Sequence, residues 1–263
     1  MRFKIHIVSQ KRQGNILLPI NYQYALSSFI YNTLNKGDKE IAKWLHENGY
    51  VKDQKKFKLF TFSHLDIPEY KRYEDRLILM GEDISFTLSI LPIKMIEPLI
   101  NGLFKNKGFS LGDKKSQADF TIKGIEKIQE PDFTNEMKFR TLSPIVVSTK
   151  NSMEDKYAQY LAPKDPGYAE KLKQNLLNKL VAFNQSSDKV PEIEKSIDFS
   201  VSILNKPKSK LAHIKAMTKN IKIRGYMYSF QVKGPVELIK MGYFAGFGEK
   251  NSMGFGCCKS IKA

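Results

Sequence analysis

The segment EPDFTNE, residues 130–136, divides the sequence, because the order of predicted strands and helices before it starts again after it. It contains a proline and is the best candidate for a linker. We therefore predict an N-terminal domain over residues 1–129 and a C-terminal domain over residues 137–263. The full length of 263 residues fits two compact domains of about 130 residues each.

Upstream of this linker, the periodicity changes between strand-like and helix-like. Residues 2–8 alternate polar and apolar side chains as a half-buried strand does, whereas residues 21–36 carry apolar side chains at helical spacing. A second, short helix is predicted over residues 38–48, and a lysine-rich loop leads from it into strand-like residues 57–65. Further strands follow, Pro92 then opens a helix, and residues 120–128 close the half as a strand. Apart from the short helix, the first half therefore contains a strand, a helix, further strands, a proline-started helix and a last strand.

Downstream of the linker, the same order is repeated. A strand is predicted first, over residues 139–149, and a helix with a leucine-rich face begins at Asp165. The remaining predicted elements are strands over residues 197–204, 210–217 and 221–232, a helix from Pro235 and a strand over residues 254–262. This is the β-α-β-β-α-β order of a ferredoxin-like (RRM-like) unit. We predict an α+β fold of two such units in tandem, each with its helices on one face of an antiparallel sheet.

The net charge is strongly positive and is concentrated near the C-terminus. The sequence has 43 Lys and Arg against 27 Asp and Glu, a formal charge of +16, and residues 201–263 hold twelve of the basic residues but two of the acidic ones. A field of one sign favours a polyanionic partner, and nucleic acid comes first because its phosphates reward many positive contacts. A basic protein without such a partner is the alternative.

Composition and cysteine usage exclude several classes of protein. Hydrophobic residues make up 41% and charged residues 27%, which is typical of a globular chain and not of a disordered or fibrous one. The first 15 residues lack the apolar core of a signal peptide. No run reaches the ~18 apolar residues of a membrane span. Cys257 and Cys258 are adjacent and are the only cysteines, which rules out a disulfide framework. We expect a cytoplasmic protein that does not bind membranes.

The string GFGEKNSMGFG, residues 246–256, is the most specific motif in the sequence. Glycine at this density lets backbone N–H groups approach a phosphate closely with positive φ angles. The spacing lacks the Gly-Lys-Ser/Thr of a P-loop, and Asn251 replaces the third glycine of the dinucleotide fingerprint. We therefore predict no nucleotide cofactor. A glycine-rich turn between a helix and an edge strand is the alternative to a phosphate-binding loop.

This loop resembles the signature of the CRISPR-associated repeat-processing endoribonucleases, the sixth numbered CRISPR-associated family within the RAMP superfamily. Three further motifs support the resemblance, namely FIYN at residues 29–32, KLFTFS at residues 58–63 and TLSPIVV at residues 141–147. Together the landmarks extend from the N-terminus to residue 256, so the resemblance covers almost the whole chain. It implies tandem ferredoxin-like domains and cleavage of repeat RNA in a precursor transcript, without a metal or another cofactor.

Metal-independent RNA cleavage requires a base for the ribose 2′-OH, an acid for the 5′-oxygen and positive charge for the phosphorane. It leaves a 2′,3′-cyclic phosphate and a 5′-OH. The sequence has no cysteine pair at zinc spacing and no His-Glu-x-x-His motif, so we predict no metal site. Histidine is the side chain best suited to such proton transfer near neutral pH.

Of the four histidines, His46 is the best candidate. It lies about 140° from the apolar stripe of its predicted helix, residues 38–48, and is therefore expected to be exposed. His6 is interpreted as a solvated strand residue and His64 as a structural one, whereas His213 is either an RNA contact or merely exposed.

The resemblance assigns the catalytic residues by motif. The family's tyrosine corresponds to Tyr31 in F-I-Y-N, and its histidine to His46 in L-H-E. Tyr31 also falls on the polar face of its predicted helix. The family's lysine corresponds to Lys58 in KLFTFS, but extra residues after His46 make Lys52 the alternative by spacing. We prefer Lys58 because attachment to a strand gives its charge a fixed direction.

Two sets of residues are predicted to bind RNA. The first is the glycine-rich loop, in which Lys250, Asn251 and Ser252 are the expected phosphate contacts. The glycines that shape its backbone are Gly246, Gly248, Gly254 and Gly256. The second set comes from the basic strands of the C-terminal half and consists of Arg140, Lys206, Lys208, Lys210, Lys222 and Arg224. The aromatic ending of sequence-reading RRM sheets is absent, so we predict phosphate tracking along the cleft between the domains and no base stacking.

The predicted partner is CRISPR repeat RNA, both as precursor and as processed guide RNA. Effector-complex subunits and a second copy of the chain are left open as further partners. The rival hypothesis is a non-catalytic RAMP subunit that binds guide RNA within an effector complex. A general single-strand RNA-binding protein is the third and weakest. The presence of His46, Tyr31 and the motif lysine favours the nuclease.

Overall fold

The computed structural model describes residues 1–10, 16–105, 108–149, 159–185, 197–216 and 219–261. Residues 217 and 262, at the ends of two predicted strands, lie outside these ranges. The described chain has an α+β fold in which each half builds its own antiparallel sheet with helices packed on one face. The predicted α+β class is confirmed. No helix within these ranges is long and apolar enough to cross a membrane.

The N-terminal half contains three helices and ten strands among its described residues. In chain order these are β1 (Arg2–Ser9), β2 (Ile16–Pro19), α1 (Gln23–Gly37), α2 (Lys39–Glu47), β3 (Tyr50–Lys52), β4 (Lys55–Phe57), β5 (Phe60–Phe62), β6 (Tyr70–Tyr73), β7 (Arg76–Leu79), β8 (Asp83–Ile90), α3 (Ile96–Lys105), β9 (Gly108–Gly112) and β10 (Gln117–Lys127). A 3-10 turn over Ile93–Met95 leads into α3.

The main sheet of this half has the strand order β5-β8-β1-β10-β9. Central strand β1 alternates as predicted, because Phe3 and Ile5 are buried under α1 and α3 while Lys4 and His6 lie on the opposite, open face. The apolar stripe of α1 that covers the sheet includes Leu26 and Ile30. The open face of the sheet is thus polar and accessible.

The C-terminal half repeats this plan. Its elements are β11 (Glu136–Thr141), β12 (Ser148–Thr149), β13 (Gln159–Tyr160), α4 (Tyr168–Gln185), β14 (Ser200–Ile203), β15 (Lys208–Ala216), β16 (Lys219–Met227), β17 (Ser229–Lys233), α5 (Val236–Ala245) and β18 (Cys258–Ile261), with a 3-10 turn over Asn251–Met253. The sheet order is β14-β17-β11-β18. In the first sheet β1 lies between β8 and β10, and β5 is at the edge. In the second sheet the corresponding strand β11 lies between β17 and β18, and β14 is at the edge.

Several predicted boundaries were wrong for identifiable reasons. The strand predicted over residues 139–149 is β11, which begins earlier at Glu136 and ends at Thr141, because Pro144 has no N–H for a continuous ladder. The strand predicted over residues 221–232 breaks at Tyr228, where the chain passes from the β15–β16 hairpin to the main sheet.

The segment after α2 also differs from the prediction. Instead of a lysine-rich loop and one long strand over residues 57–65, the chain forms the β3–β4 hairpin and then the short strand β5. Leu59 adopts a φ of 53°, in the left-handed region, which interrupts the strand. Helix α2 begins as predicted, since the Asp38 side chain accepts a hydrogen bond from the Ile41 N–H at 3.0 Å.

The two halves contact each other along β5, at the edge of the first sheet. Ser143 Oγ donates a hydrogen bond to the carbonyl oxygen of Phe62 at 3.1 Å. Arg2 is the first residue of β1 and is buried. Its guanidinium group lies 4.1 Å from the ring centre of Tyr243 and donates a hydrogen bond to Cys257 Sγ at 3.2 Å. These buried contacts place the end of α2 and the strand β5 beside the glycine-rich loop.

Candidate active site

Tyr31 and His46 come together from two consecutive helices. Their ring centres are 6.0 Å apart and the rings meet edge to face at 83°. Tyr31 also packs against Phe60 of β5, at 5.6 Å between ring centres. The two residues that the motifs single out are therefore neighbours, although 15 positions separate them in the sequence.

The environments of these two side chains differ. His46 is exposed on the last turn of α2, as its position on the helical wheel predicts. Tyr31 is half-buried, because Phe60 and the glycine-rich loop cover a position that the wheel of α1 places on the polar face. Burial raises the pKa of Tyr31, and a hydrogen bond to the Ser252 side chain lowers it by a smaller amount. Tyr31 therefore keeps its proton at neutral pH.

Lys58 lies beside the same helix end. Its ammonium donates hydrogen bonds to the carbonyl oxygens of Leu45 and His46, the latter at 2.7 Å. Burial lowers the pKa of Lys58, and the nearby charge of Lys56 lowers it further. The prediction that a strand orients this residue was wrong, since Lys58 lies between β4 and β5. Its direction is instead set by the carbonyl groups at the end of α2.

The alternative lysine has a different environment. Lys52 ends strand β3 at the tip of the β3–β4 hairpin and forms an ion pair with Asp53 at 2.7 Å. Its neighbour Lys56 donates to the carbonyl oxygen of Glu47 at 2.7 Å. Of the two candidates, Lys58 is the one that contacts His46.

The glycines of the loop serve packing within the protein. All four G-F-G glycines are buried and have positive φ angles between 72° and 93°. A Cβ atom on Gly248 would lie 2.3 Å from the carbonyl oxygen of Val146, and one on Gly256 would lie 2.0 Å from that of Phe247. Close approach to protein backbone therefore requires glycine here, which matches the alternative interpretation of a turn between helix α5 and edge strand β18.

Two buried side chains hold the loop from inside. Lys179 of α4 donates hydrogen bonds to the carbonyl oxygens of Gly246 and Gly248, both at 2.7 Å. Burial lowers the pKa of Lys179 to about 7, against a smaller raising effect of Glu249. Asn251 Nδ2 donates hydrogen bonds to the carbonyl oxygens of Phe247 and Phe255, the central residues of the two G-F-G motifs, at 3.3 and 3.0 Å. The Asn251 side chain thus faces inward, which does not support the predicted phosphate contact.

Sequence reasoning missed Lys179 altogether. The residue follows Leu172 and Leu176 at helical spacing, on the face of α4 that is buried in the core. A lysine on an otherwise apolar face was the available signal, because such a residue must find polar partners when it is buried.

A cleft of about 680 Å³ opens between the two halves next to these residues. Lysines from both sides line it, namely Lys55, Lys56, Lys58, Lys171, Lys250 and the buried Lys179. Its remaining wall includes Ser252 and polar side chains of α4 such as Gln174 and Asn178. The exposed Lys250 of the glycine-rich loop therefore faces a space that an RNA backbone could enter, and we call this space the inter-domain cleft.

The second predicted set lies mainly around a different depression. Lys206, Lys208 and Lys210 line a groove of about 250 Å³ together with Arg140. Arg140 also lines an adjoining groove of about 360 Å³ with Lys4 and Lys259. Since Lys4 and Arg140 alternate with buried neighbours along their strands, this continuous basic depression lies on the open face of the sheets. We call it the open-face groove.

Lys222 and Arg224 belong to the β15–β16 hairpin. Arg224 donates to Ser209 Oγ at 3.2 Å across the hairpin. The carbonyl group of Lys222 accepts a hydrogen bond from the Tyr160 hydroxyl at 3.2 Å. Both side chains are exposed, next to the strand that supplies Lys208 and Lys210 to the open-face groove.

The other histidines lie elsewhere. His6 is 3.5 Å from Glu126 on the open face of the first sheet. His64 contacts Gln23 at 3.1 Å, and burial lowers its pKa to about 4, in agreement with the predicted structural role. His213 is exposed on β15, where its backbone N–H donates to Asn21 at 3.3 Å. Among the described residues, no three side chains of His, Cys, Asp or Glu are grouped so that they could hold a metal ion.

Two family models cover nearly the whole chain. Residues 17–126 match the model of CRISPR-associated protein Cas6, N-terminal, and residues 128–260 match that of CRISPR associated protein Cas6, C-terminal. The chain belongs to the Cas6 family of CRISPR-associated endoribonucleases. The family resemblance inferred from the motifs is thereby confirmed.

Similar proteins align with this chain over most of their length. The CRISPR-associated endoribonuclease Cas6 1 of Methanocaldococcus jannaschii is 31% identical, with 100% of this chain and 95% of that protein covered. The CRISPR-associated endoribonuclease Cas6 of Pyrococcus furiosus is 32% identical, with 98% and 89% covered. A solved structure of CRISPR associated protein Cas6 has a TM-score of 0.74 at 28% identity, with 100% of this chain and 99% of that chain covered. The mixed α+β fold is thus that of Cas6 structures.

Proposed function

We propose that this Cas6-family protein cleaves CRISPR repeat RNA in the precursor transcript without a metal ion. The products are guide RNAs with 5′-OH and 2′,3′-cyclic phosphate ends. One observation carries the proposal, namely the edge-to-face contact between the rings of Tyr31 and His46 next to the ammonium of Lys58. This arrangement supplies an imidazole, a protonated phenol and a positive charge within one site.

The reaction joins the ribose 2′-oxygen to phosphorus and breaks the bond from phosphorus to the 5′-oxygen. In the proposed mechanism, His46 accepts the 2′-OH proton, since imidazole is well suited to this step near neutral pH. Tyr31, which burial keeps protonated, donates its proton to the leaving 5′-oxygen. Return of the proton from His46 to Tyr31 restores the starting state, so the cycle needs no other reactant.

Lys58 is proposed to stabilise the phosphorane. An ammonium has three N–H donors, and the carbonyl groups of Leu45 and His46 use two of them. The third can reach a phosphate oxygen in the inter-domain cleft, which Lys58 lines. A charge that is held by two hydrogen bonds needs no reorganisation when negative charge develops on the phosphate.

RNA is the proposed partner of both basic surfaces. One relative of known structure, with 27% identity and a TM-score of 0.80, is described as a RAMP protein binding different RNA substrates. In this chain, Lys250 in the inter-domain cleft and Arg140 in the open-face groove are the proposed phosphate contacts. We also infer that each half is a ferredoxin-like domain, over residues 1–129 and 137–263, and the repeated strand order supports this inference.

Incubation of the purified protein with end-labelled repeat RNA in EDTA tests the proposal. We expect one cut within the repeat, a 2′,3′-cyclic phosphate on the upstream product and a 5′-OH on the downstream product. Binding of the repeat without cleavage would instead identify a non-catalytic RAMP subunit. Equal binding of the repeat and of unrelated single strands, again without cleavage, would identify a general RNA-binding protein.

A further inference from the structure

The glycine-rich loop belongs to the C-terminal half by sequence but is attached to the N-terminal half. Ser27 Oγ of α1 donates a hydrogen bond to the carbonyl oxygen of Ser252 at 2.7 Å. Thr61 Oγ1 of β5 donates a hydrogen bond to the carbonyl oxygen of Phe255 at 2.8 Å. The loop is therefore held by its main chain against α1, which carries Tyr31, and against β5, whose Phe60 packs on Tyr31.

Ser252 makes a second contact with α1, through its side chain. Its interaction with Tyr31 lowers the pKa of that residue. Ser27 and Tyr31 are four residues apart and thus lie on the same face of the helix. The hydrogen bond from Ser27 therefore holds the backbone of Ser252 one helical turn from Tyr31.

The rest of the loop keeps Ser252 in place. Its 3-10 turn is enclosed by two left-handed residues, Lys250 with a φ of 57° and Gly254 with a φ of 87°. The buried Lys179 and Asn251 hold the carbonyl groups on either side of the turn. A hydroxyl group in such a position can impose an orientation on its partner, because a phenol O–H otherwise rotates to suit whichever acceptor is near.

We propose that Ser252 is a positioning residue for Tyr31, so that the glycine-rich loop of one half completes the catalytic centre of the other. The inference rests on the proposed function, in which Tyr31 donates the proton to the 5′-oxygen. When Ser252 donates to the Tyr31 oxygen, the Tyr31 proton is directed to the substrate, and the phenolate that forms is stabilised by the same bond.

A double-mutant cycle tests the proposal in single-turnover cleavage at saturating enzyme. Ser252→Ala should be about 10-fold slower, the effect of one hydrogen bond, with unchanged affinity for the repeat. Ser252→Thr keeps the hydroxyl group and should cleave close to the wild-type rate. In the Tyr31→Phe background, Ser252→Ala should cause no further loss. Ser28→Ala is the matched control, because Ser28 lies on the same helix and its Oγ donates a hydrogen bond within α1, to the carbonyl oxygen of Tyr24 at 3.0 Å.

A second measurement does not depend on cleavage. In protein labelled with ¹³C at tyrosine Cζ, the Tyr31 resonance is identified by its loss in Tyr31→Phe. Ser252→Ala should shift this resonance, and Ser28→Ala should leave it in place. The proposal would be overturned if Ser252→Ala left the Tyr31 resonance in place. It would also be overturned if the rate losses of Ser252→Ala and Tyr31→Phe multiplied in the double variant, or if Ser252→Ala weakened binding but kept the saturating rate. Absence of cleavage by the wild-type protein together with a shifted resonance would overturn the proposed function and leave only the hydrogen bond.

Discussion

The Nζ atom of Lys179 lies 2.7 Å from the carbonyl oxygen of Gly248 and donates a hydrogen bond to it inside the core of the C-terminal half. A second bond reaches the carbonyl group of Gly246. Burial lowers the pKa of Lys179 to about 7. A neutral amine still has two N–H groups, so Lys179 can change its charge near neutral pH and keep both partners.

Replacement of Lys179 by Met should lower the free energy of unfolding by about 2 to 3 kcal/mol, because two buried carbonyl groups lose their donor. The pKa of Lys179 is lower in the folded state than in the unfolded chain, which therefore binds more protons between pH 7 and about 10. The contribution of Lys179 to stability thus rises with pH across this window. Urea unfolding at pH 6.5, 8 and 9.5 measures it as the difference between wild type and Lys179→Met.

Lys173→Met is the matched control for this measurement, because Lys173 lies on the same helix and pairs with Glu170 at 2.7 Å near the surface. Its difference from wild type should not change systematically with pH. A wild-type advantage over Lys179→Met that falls or stays flat as the pH rises would contradict a buried lysine of lowered pKa.

His46→Ala should slow single-turnover cleavage by about 10² to 10⁴, the span for loss of one general acid or base. Affinity for the repeat should change little, because His46 is exposed at the end of α2. His6→Ala is the control, since His6 is a second accessible histidine on the far face of the first sheet. An equal loss of binding and cleavage in His46→Ala would show a structural role instead.

Lys58→Ala should slow the saturating single-turnover rate by about 10² or more, because the charge next to the reacting phosphate is lost. Lys52→Ala should mainly weaken binding, and its defect should shrink as the enzyme concentration rises. Rates of both variants across an enzyme titration distinguish these effects. A saturating defect in Lys52→Ala with none in Lys58→Ala would show that the lysine at the hairpin tip is the catalytic one.

Gly248→Ala should destabilise the fold by at least about 1 to 3 kcal/mol, the cost of a strained positive φ for a residue with a side chain. Its Cβ would also lie 2.3 Å from the Val146 carbonyl oxygen. Gly124→Ala is the control, because a Cβ at Gly124 on β10 would have nothing within 4 Å. Urea unfolding compares the two. If Gly248→Ala keeps wild-type stability but loses RNA affinity, the glycine serves the RNA and not the packing.

The parts of this structure that follow from local periodicity could be predicted from the sequence. The strand β1 and the helix α1 have clear alternation and a clear apolar stripe, and the exposure of His46 follows from the same rule. Motifs supplied what periodicity cannot, because nothing local indicates that Tyr31 and His46 face each other. The contact between Tyr31 and His46 exists only when α1 and α2 are packed together in the folded protein.

The remaining features depend on contacts between distant segments. The half-burial of Tyr31 arises from β5 and from a loop more than 200 positions later in the chain. Glycine density was interpreted as a means of approaching phosphate, but the neighbours of Gly248 are protein atoms from the segment around Val146. Likewise, the direction of Lys58 is set by the end of α2, which no pattern in KLFTFS reveals.

The attachment of the glycine-rich loop to α1 and β5 limits how the two halves can be recombined. In a chimaera joined at residues 130–136 from two relatives, Thr61 and Phe255 would come from different parents. The same holds for Tyr50 and Leu59 and for the C-terminal core into which they pack. The two halves are therefore not independent modules where the glycine-rich loop contacts the N-terminal half. Exchange of specificity between relatives should succeed only when the loop and the elements it touches are inherited together as one unit.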